Sequence, residues 1–252
     1  MKEFLFQINK KLNAFFDLQR RKMSRMTAKN TMSIDESYRI PIIINNYNRY
    51  TYMLQLITWL ENNGYTNIVI LDNDSTYPPL IDYYKTTKHK IIYLKKNVGY
   101  KALWQTNVFD QFKKEYYVYT DPDVAPNADC PGDVIFHLYS VLKKHNTIEK
   151  CGPALSISDL PDHYDDKTPV IKWEQKHWQN KIENDVFAAP IDTTFALYRP
   201  FARGEAELCK AYRLGGKYTF RHLPWYVNSK NLPAEELFYK NSINKTQSHW
   251  IK

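Results

Sequence analysis

From residue 40 onward, short apolar runs alternate with helical stripes, and each run stops at a cluster of polar residues. Ile40, Ile42, Ile43 and Ile44 end at Asn45, Asn46, Tyr47, Asn48 and Arg49, the pattern of a buried strand and its exit loop. Residues 50–63 carry Met53, Leu54, Leu56, Ile57 and Leu60 at helical spacing, and Gly64 follows in the position where a helix ends. Residues 67–72 predict a second strand that stops at Asp72, Asn73, Asp74 and Ser75. Pro78 and Pro79 suit the first turn of a helix. A third strand over residues 90–94 stops at Asn97, Val98 and Gly99, residues 101–114 predict a helix, and a fourth strand over 115–120 ends at Asp121, Pro122 and Asp123.

This β-α-β-α-β-α-β order predicts an α/β fold with a mainly parallel sheet flanked by helices. Ligands in such folds bind outside the carboxyl ends of the strands. All four polar clusters fall at those ends, which suggests one site assembled from four loops. No GxGxxG and no GxxxxGK[ST] occurs, so a dinucleotide or P-loop reading is weak.

The second half is less regular. Residues 132–146 predict a helix, 151–158 a strand, and 159–169 an acidic, turn-rich loop. Trp173, His177 and Trp178 follow in a helical stretch; the tryptophans either stack on pyranose faces or fill the core, and His177 reads as a surface or satisfied histidine rather than a catalyst. Residues 187–200 read as one strand interrupted by Asp192. A carboxylate there is costly unless paired, so Asp192 is either an acceptor-binding residue or general base, or a turn cap with Thr193 and Thr194. Glu235 and Glu236, after Pro233, read as first-turn acids of a last helix.

Composition narrows the classes. The length, 252 residues, fits one large α/β domain or two small ones. A net charge of +8 and 20 tyrosines favour an anionic partner such as a nucleotide, a nucleic acid or an anionic membrane surface. The three cysteines are too scattered for a disulfide framework or a zinc site. No run reaches the roughly 20 apolar residues that cross a bilayer, and no signal-peptide cleavage pattern follows the basic N-terminus. The expected compartment is the cytosol. Residues 1–37 form a separate unit ahead of a domain over 38–252. Phe4, Leu5, Ile8, Leu12, Phe15 and Phe16 lie near helical spacing, with Lys10, Lys11, Arg20, Arg21, Lys22 and Arg25 between and after them. That segment either lies on an anionic membrane or packs on protein; residues 27–37 read as a polar linker.

The two carboxylates of Asp121 and Asp123, at i and i+2 around a turn, can face one hard cation such as Mg²⁺ or Mn²⁺ that bridges to substrate phosphates. With this motif at the end of the fourth strand, the region from Ile40 to His222 resembles the GT-A glycosyltransferases, nearest to the family-2 bacterial enzymes. The resemblance rests on the order of Tyr47-Asn48-Arg49, Asp72-Asn73-Asp74-Ser75, Asn97-Val98-Gly99-Tyr100 and Asp121-Pro122-Asp123. It implies a nucleotide-sugar donor, a divalent metal (Mn²⁺ or Mg²⁺) on its diphosphate, and a glycan or lipid-linked glycan acceptor. By position, Asn46, Tyr47, Asn48, Arg49, Asp72, Asn73, Asn97, Gly99, Lys101 and Asp121 would hold the nucleotide. Asp121, Asp123 and His222 would hold the metal, His222 at the place of the family's third ligand. Glu205 matches the family's general base, although Gly204 stands where a glutamate is usual; Asp192 is the second candidate. Two other classes remain in view. A nucleotidyltransferase shares the sheet but opens with a Gly-rich loop absent from Asn45–Arg49. A nucleic-acid-binding module is suggested by the charge, yet the basic residues are spread along the chain and no binding motif occurs, so no nucleic-acid partner is expected.

Overall fold

The computed structural model describes residues 31–204 and 210–243, together with 16, 19–21 and 23. The amphipathic reading of residues 1–30 therefore falls almost wholly outside the described residues.

Among the described residues eleven strands form a nine-stranded sheet, ordered β3-β2-β1-β4-β9-β6-β10-β8-β7, and a two-stranded ribbon of β11 and β5. The strands are β1 Ile42–Asn46, β2 Ile68–Asp72, β3 Lys90–Tyr93, β4 Tyr117–Thr120, β5 Val124–Pro126, β6 Lys150–Pro153, β7 Lys181–Glu183, β8 Val186–Ala188, β9 Ala196–Tyr198, β10 Ala211–Leu214 and β11 Phe220–His222. β3, β2, β1 and β4 pair in parallel, as do β6 and β10. β9 runs antiparallel between β4 and β6 and joins the two parallel blocks. The architecture is thus a mixed, mainly parallel sheet with helices on its faces, as the alternating pattern predicts.

Strand geometry explains why the apolar runs are continuous. Successive side chains point to opposite faces, and both faces are covered. Ile42 and Ile44 enter one core with Ile68, Ile70 and Val118, on the side of the helices Thr51–Asn62 and Val134–Lys144. Ile43 enters a second core with Val69, Leu71, Tyr117 and Tyr119, under Leu103 and Phe109. The first helix ends as its sequence suggests, at Gly64 with φ +86°. Gly152 permits the close approach of β6 to β9, since a Cβ there would lie 2.3 Å from the Phe195 carbonyl oxygen.

Three expectations are corrected. Residues 101–114 are not one helix but two single turns, Ala102–Gln105 and Phe109–Phe112. Thr106 breaks them by adopting an extended backbone while its hydroxyl donates to the Ala102 carbonyl. Residues 187–200 are not one strand: β8 and β9 are separated by a loop, so Asp192 is an exposed loop residue rather than a carboxylate inside a strand. The end of the supposed linker is ordered. Ile34–Ser37 is a short helix whose N-cap Ser33 and Glu36 form a reciprocal capping box. Among the described residues no helix is long and apolar enough to cross a membrane.

Candidate functional site

The carboxyl ends of β1, β2, β3 and β4 do converge. Their exit loops line a single cavity of about 1030 Å³, closed on the far side by residues 150–194 and by the chain from Arg213 to Ile243. It lies beside the point where the sheet order turns from β1 to β4, the position at which open α/β sheets leave a crevice.

The residues expected to hold a nucleotide divide into two sets. Tyr47, Arg49, Asn73, Asn97, Gly99, Lys101 and Asp121 line the cavity. Asn46, Asn48 and Asp72 do not; they build the loops behind its wall. Asn46 donates its amide to the Tyr84 hydroxyl, which in turn donates to Asp72 Oδ1 at 3.0 Å. Asp72 Oδ2 accepts from the backbone N–H of Ser75, an Asx-type turn. Asn48 adopts φ +54°, a left-handed backbone that Asn tolerates. Its Oδ1 accepts from the N–H groups of Thr76 and Tyr77, which pins the first loop to the second. The third loop is tied in by Asn73, which accepts from the Val98 N–H and donates to the Gly99 carbonyl.

The Asp121-Pro122-Asp123 turn forms the cavity floor. Asp121 Oδ2 accepts from the Thr193 hydroxyl at 2.8 Å. Desolvation, then the like charges of Asp123 and Asp192, push the Asp121 carboxyl well above the usual carboxylate range, against the Thr193 bond and the Lys150 ammonium. Across the turn, His222 Nε2 lies 3.8 Å from Asp123 Oδ1, longer than a hydrogen bond. Burial lowers the His222 pKa, Asp123 opposes that shift, and the ring is held neutral and free to ligate. Its Nδ1 is buried with no hydrogen-bond partner among the described residues.

These residues fit a divalent ion. Asp121, Asp123, Asp192 and His222 all line this cavity, and carboxylate oxygens with one imidazole nitrogen are ligand types that suit Mn²⁺. The described side chains do not by themselves make a cluster of three or more His, Cys, Asp or Glu groups that could hold an ion. A metal held by Asp123 and His222 would keep further positions for substrate phosphates.

The last helix, Ala234–Ser242, carries Glu235 and Glu236 in its first turn as expected, and both also support the first loop. Glu235 accepts from the N–H groups of Tyr50 and Thr51 and from the Thr51 hydroxyl, capping the helix Thr51–Asn62 from a distant part of the chain. Glu236 pairs with the Arg49 guanidinium at 2.5 Å, both side chains being about 5% exposed. Arg49 also lies 3.6 Å above the Tyr239 ring. A second charge missed from the sequence is Lys150, 1% exposed at the start of β6. Its ammonium donates to the carbonyls of Ile191 and Asp192 and to the Tyr198 hydroxyl, fixing the loop that carries Asp192 and Thr193.

No protein-family model and no curated protein sequence matches the chain. Its fold is similar to several solved structures. One is a mannosyltransferase from Pyrobaculum calidifontis in complex with GDP-Man and Mn²⁺, at 16% identity and TM-score 0.42; the match covers 74% of this chain and about half, 51%, of that one. Another is glucosyl-3-phosphoglycerate synthase from Mycobacterium tuberculosis in complex with phosphoglyceric acid, at 13% identity and TM-score 0.45, covering 82% of this chain and 79% of that one. A third is GalNAc-T7 with UDP, GalNAc and Mn²⁺, at 12% identity and TM-score 0.49, covering 78% of this chain and 49% of that one.

The two candidate bases differ in what the structure says of them. Asp192 is exposed and lines the cavity. Glu205 lies outside the described residues, while Gly204 before it lines the cavity. The glycine has a physical reason: a Cβ there would lie 2.2 Å from the Trp104 ring.

Proposed function

We propose that the chain is a metal-dependent glycosyltransferase of the GT-A type. It moves a sugar from a nucleoside-diphosphate donor, a UDP-sugar, to a glycan or lipid-linked glycan acceptor in bacterial surface polysaccharide synthesis. The observation that carries this reading is the convergence of four strand-end loops on one cavity with Asp121, Asp123, Asp192 and His222 at its floor. A cavity of this size accommodates a nucleotide-sugar and part of an acceptor.

When bound, Mn²⁺ or Mg²⁺ supplies positive charge to the departing diphosphate. Asp123 and His222 are the residues that would hold it, with Asp121 alongside. Arg49 and Lys101 present cationic donors to the same cavity from the first and third loops, where a diphosphate would be recognised by charge-assisted bonds. Arg49 is pre-positioned by Glu236 and Tyr239, so it loses little freedom on engaging a ligand. Asn73, Asn97 and Gly99 form the wall on which base and ribose would lie. Asp192, exposed on the cavity wall, would accept the acceptor hydroxyl proton, and Glu205 is the alternative. The basic segment over residues 1–30 would bring the enzyme to the anionic inner face of a membrane.

A panel of nucleoside diphosphates tests the donor half of this reading by thermal shift, with and without Mn²⁺. A ligand at about 100 times its Kd stabilises the native state by about 2.7 kcal/mol. Stabilisation by at least one nucleotide that requires Mn²⁺ is expected; no shift with any nucleotide contradicts the reading.

A further inference from the structure

Lys150 borders the cavity, yet its side chain is buried and its ammonium is spent on the backbone of a neighbouring loop. An ammonium is costly to bury without partners. Here Nζ donates to the Ile191 carbonyl at 2.5 Å, the Asp192 carbonyl at 3.1 Å and the Tyr198 hydroxyl at 3.2 Å. A second buried cation grips the same loop from the adjacent parallel strand. Arg213 on β10, 5% exposed, donates its Nε to the Pro190 carbonyl at 2.8 Å. Two cations thus hold the three successive carbonyls of Pro190, Ile191 and Asp192. Residues 189–195 connect β8 to β9 outside any strand, so these carbonyls have no ladder to join and need such donors.

What the grip fixes lies one residue further on. Exposure alternates along the loop, Asp192 being exposed while Ile191 and Thr193 are buried. Thr193 meets the Asp121-Pro122-Asp123 turn through two bonds. The Asp121 backbone N–H donates to the Thr193 carbonyl at 2.9 Å, and the Thr193 hydroxyl donates to Asp121 Oδ2 at 2.8 Å. A carboxylate held at one oxygen is restrained in rotation, so the second bond governs how the other oxygen is presented.

We infer that Lys150 is a positioning residue for the metal site: by holding the loop at Ile191 and Asp192 it seats Thr193, and Thr193 orients the carboxylate of Asp121. The inference rests on the glycosyltransferase reading, which supplies the metal. Groups that orient metal ligands from behind are worth about 10- to 100-fold in metal affinity. The sign of the effect separates this role from a purely electrostatic one. Lys150 acts on Asp121 as a positive charge, and by charge alone a nearby cation repels a divalent ion. Removing a mere charge would tighten metal binding; removing a support loosens it.

The test uses the full chain with UDP and reads Mn²⁺ binding from the loss of the free-ion EPR signal. Lys150→Met removes the ammonium and keeps the bulk of the stem; a loss of about 10-fold in Mn²⁺ affinity is expected. Thr193→Val, which removes the hydroxyl and keeps the side-chain shape, should lose about 10-fold as well, and Thr193→Ser should bind as wild type does. Because the two residues act in series, the Lys150→Met, Thr193→Val double variant should lose no more than the larger single loss, whereas independent effects multiply. Tyr198→Phe removes one acceptor of the ammonium and keeps its charge, with an expected loss of about threefold; it takes the place of Lys150→Met if that variant does not fold. Unchanged or tighter Mn²⁺ binding in the variant used, or multiplied losses in the double variant, overturns the inference and leaves the transferase reading standing. Wild-type protein that binds no Mn²⁺ in the presence of UDP overturns both.

Discussion

Asp123→Ala is expected to lower Mn²⁺-dependent nucleotide affinity by more than about 100-fold, beyond the range of losses seen when an outer-shell partner of a metal is removed. The expectation follows from geometry. Asp123 Oδ1 faces His222 Nε2 across 3.8 Å, while Asp121 commits one oxygen to Thr193, so Asp123 is the carboxylate set against the histidine. The melting temperature of the ligand-free variant should hardly move. Removing the carboxylate takes away a counter-charge for Arg49 but also relieves repulsion on Asp121. Isothermal titration with UDP, with and without Mn²⁺, reads the effect. Metal-dependent affinity within threefold of wild type would remove the motif from the mechanism.

The second large effect is on stability. Glu236→Ala leaves the Arg49 guanidinium, only 4% exposed, without its ion-pair partner. Breaking one side of a buried pair costs about 3–5 kcal/mol, because the remaining charge stays desolvated. For a chain of this length about 2–4 °C of melting temperature accompanies each kcal/mol, so a fall on the order of 10 °C is expected. Asp82→Ala, which removes the exposed partner of Lys85, is the control and should cost less than about 1 kcal/mol. Calorimetry on both variants distinguishes a supporting pair from an ornamental one: equal small shifts would mean that the last helix does not hold the first loop.

The first half of this molecule was legible because its signals are local. A strand buried on both faces reads as a run of Ile and Val, a helix as a stripe closed by Gly64, and an exit loop as a cluster of Asn and Asp. Those signals located the four loops and the Asp121–Asp123 turn. They could not sort the polar residues within a loop. Asn48 and Asp72 look as much like ligand-binding groups as Asn73 does, and only three-dimensional packing turns the first two behind the wall. Sequence periodicity also failed at residues 101–114, where a single hydroxyl-to-carbonyl bond from Thr106 breaks a helical stripe into two turns. It failed again at Asp192, where β8 and β9 are divided by a loop that Lys150 anchors from another strand.

The charges whose tertiary roles are invisible in the sequence, Glu235, Glu236 and Lys150, share one feature. Each acts on residues far away in the chain: Glu236 on Arg49, Glu235 on Thr51, Lys150 on Ile191 and Asp192. Acids after Pro233 read as first-turn acids, which they are, and nothing local reveals that they are also buried. Lys150 stands at the very start of its strand, where a lysine reads as an ordinary flanking residue and nothing local reveals its burial.

The central claim is that Asp123 and His222 hold a divalent ion at the floor of a nucleotide-sugar cavity. The most direct measurement is an anomalous difference map from crystals grown with Mn²⁺ and UDP, collected at the manganese edge. The account predicts one strong peak within bonding distance of Asp123 and His222, with the diphosphate completing its coordination. A peak elsewhere, or nucleotide density in the cavity with no manganese beside these two residues, would contradict it.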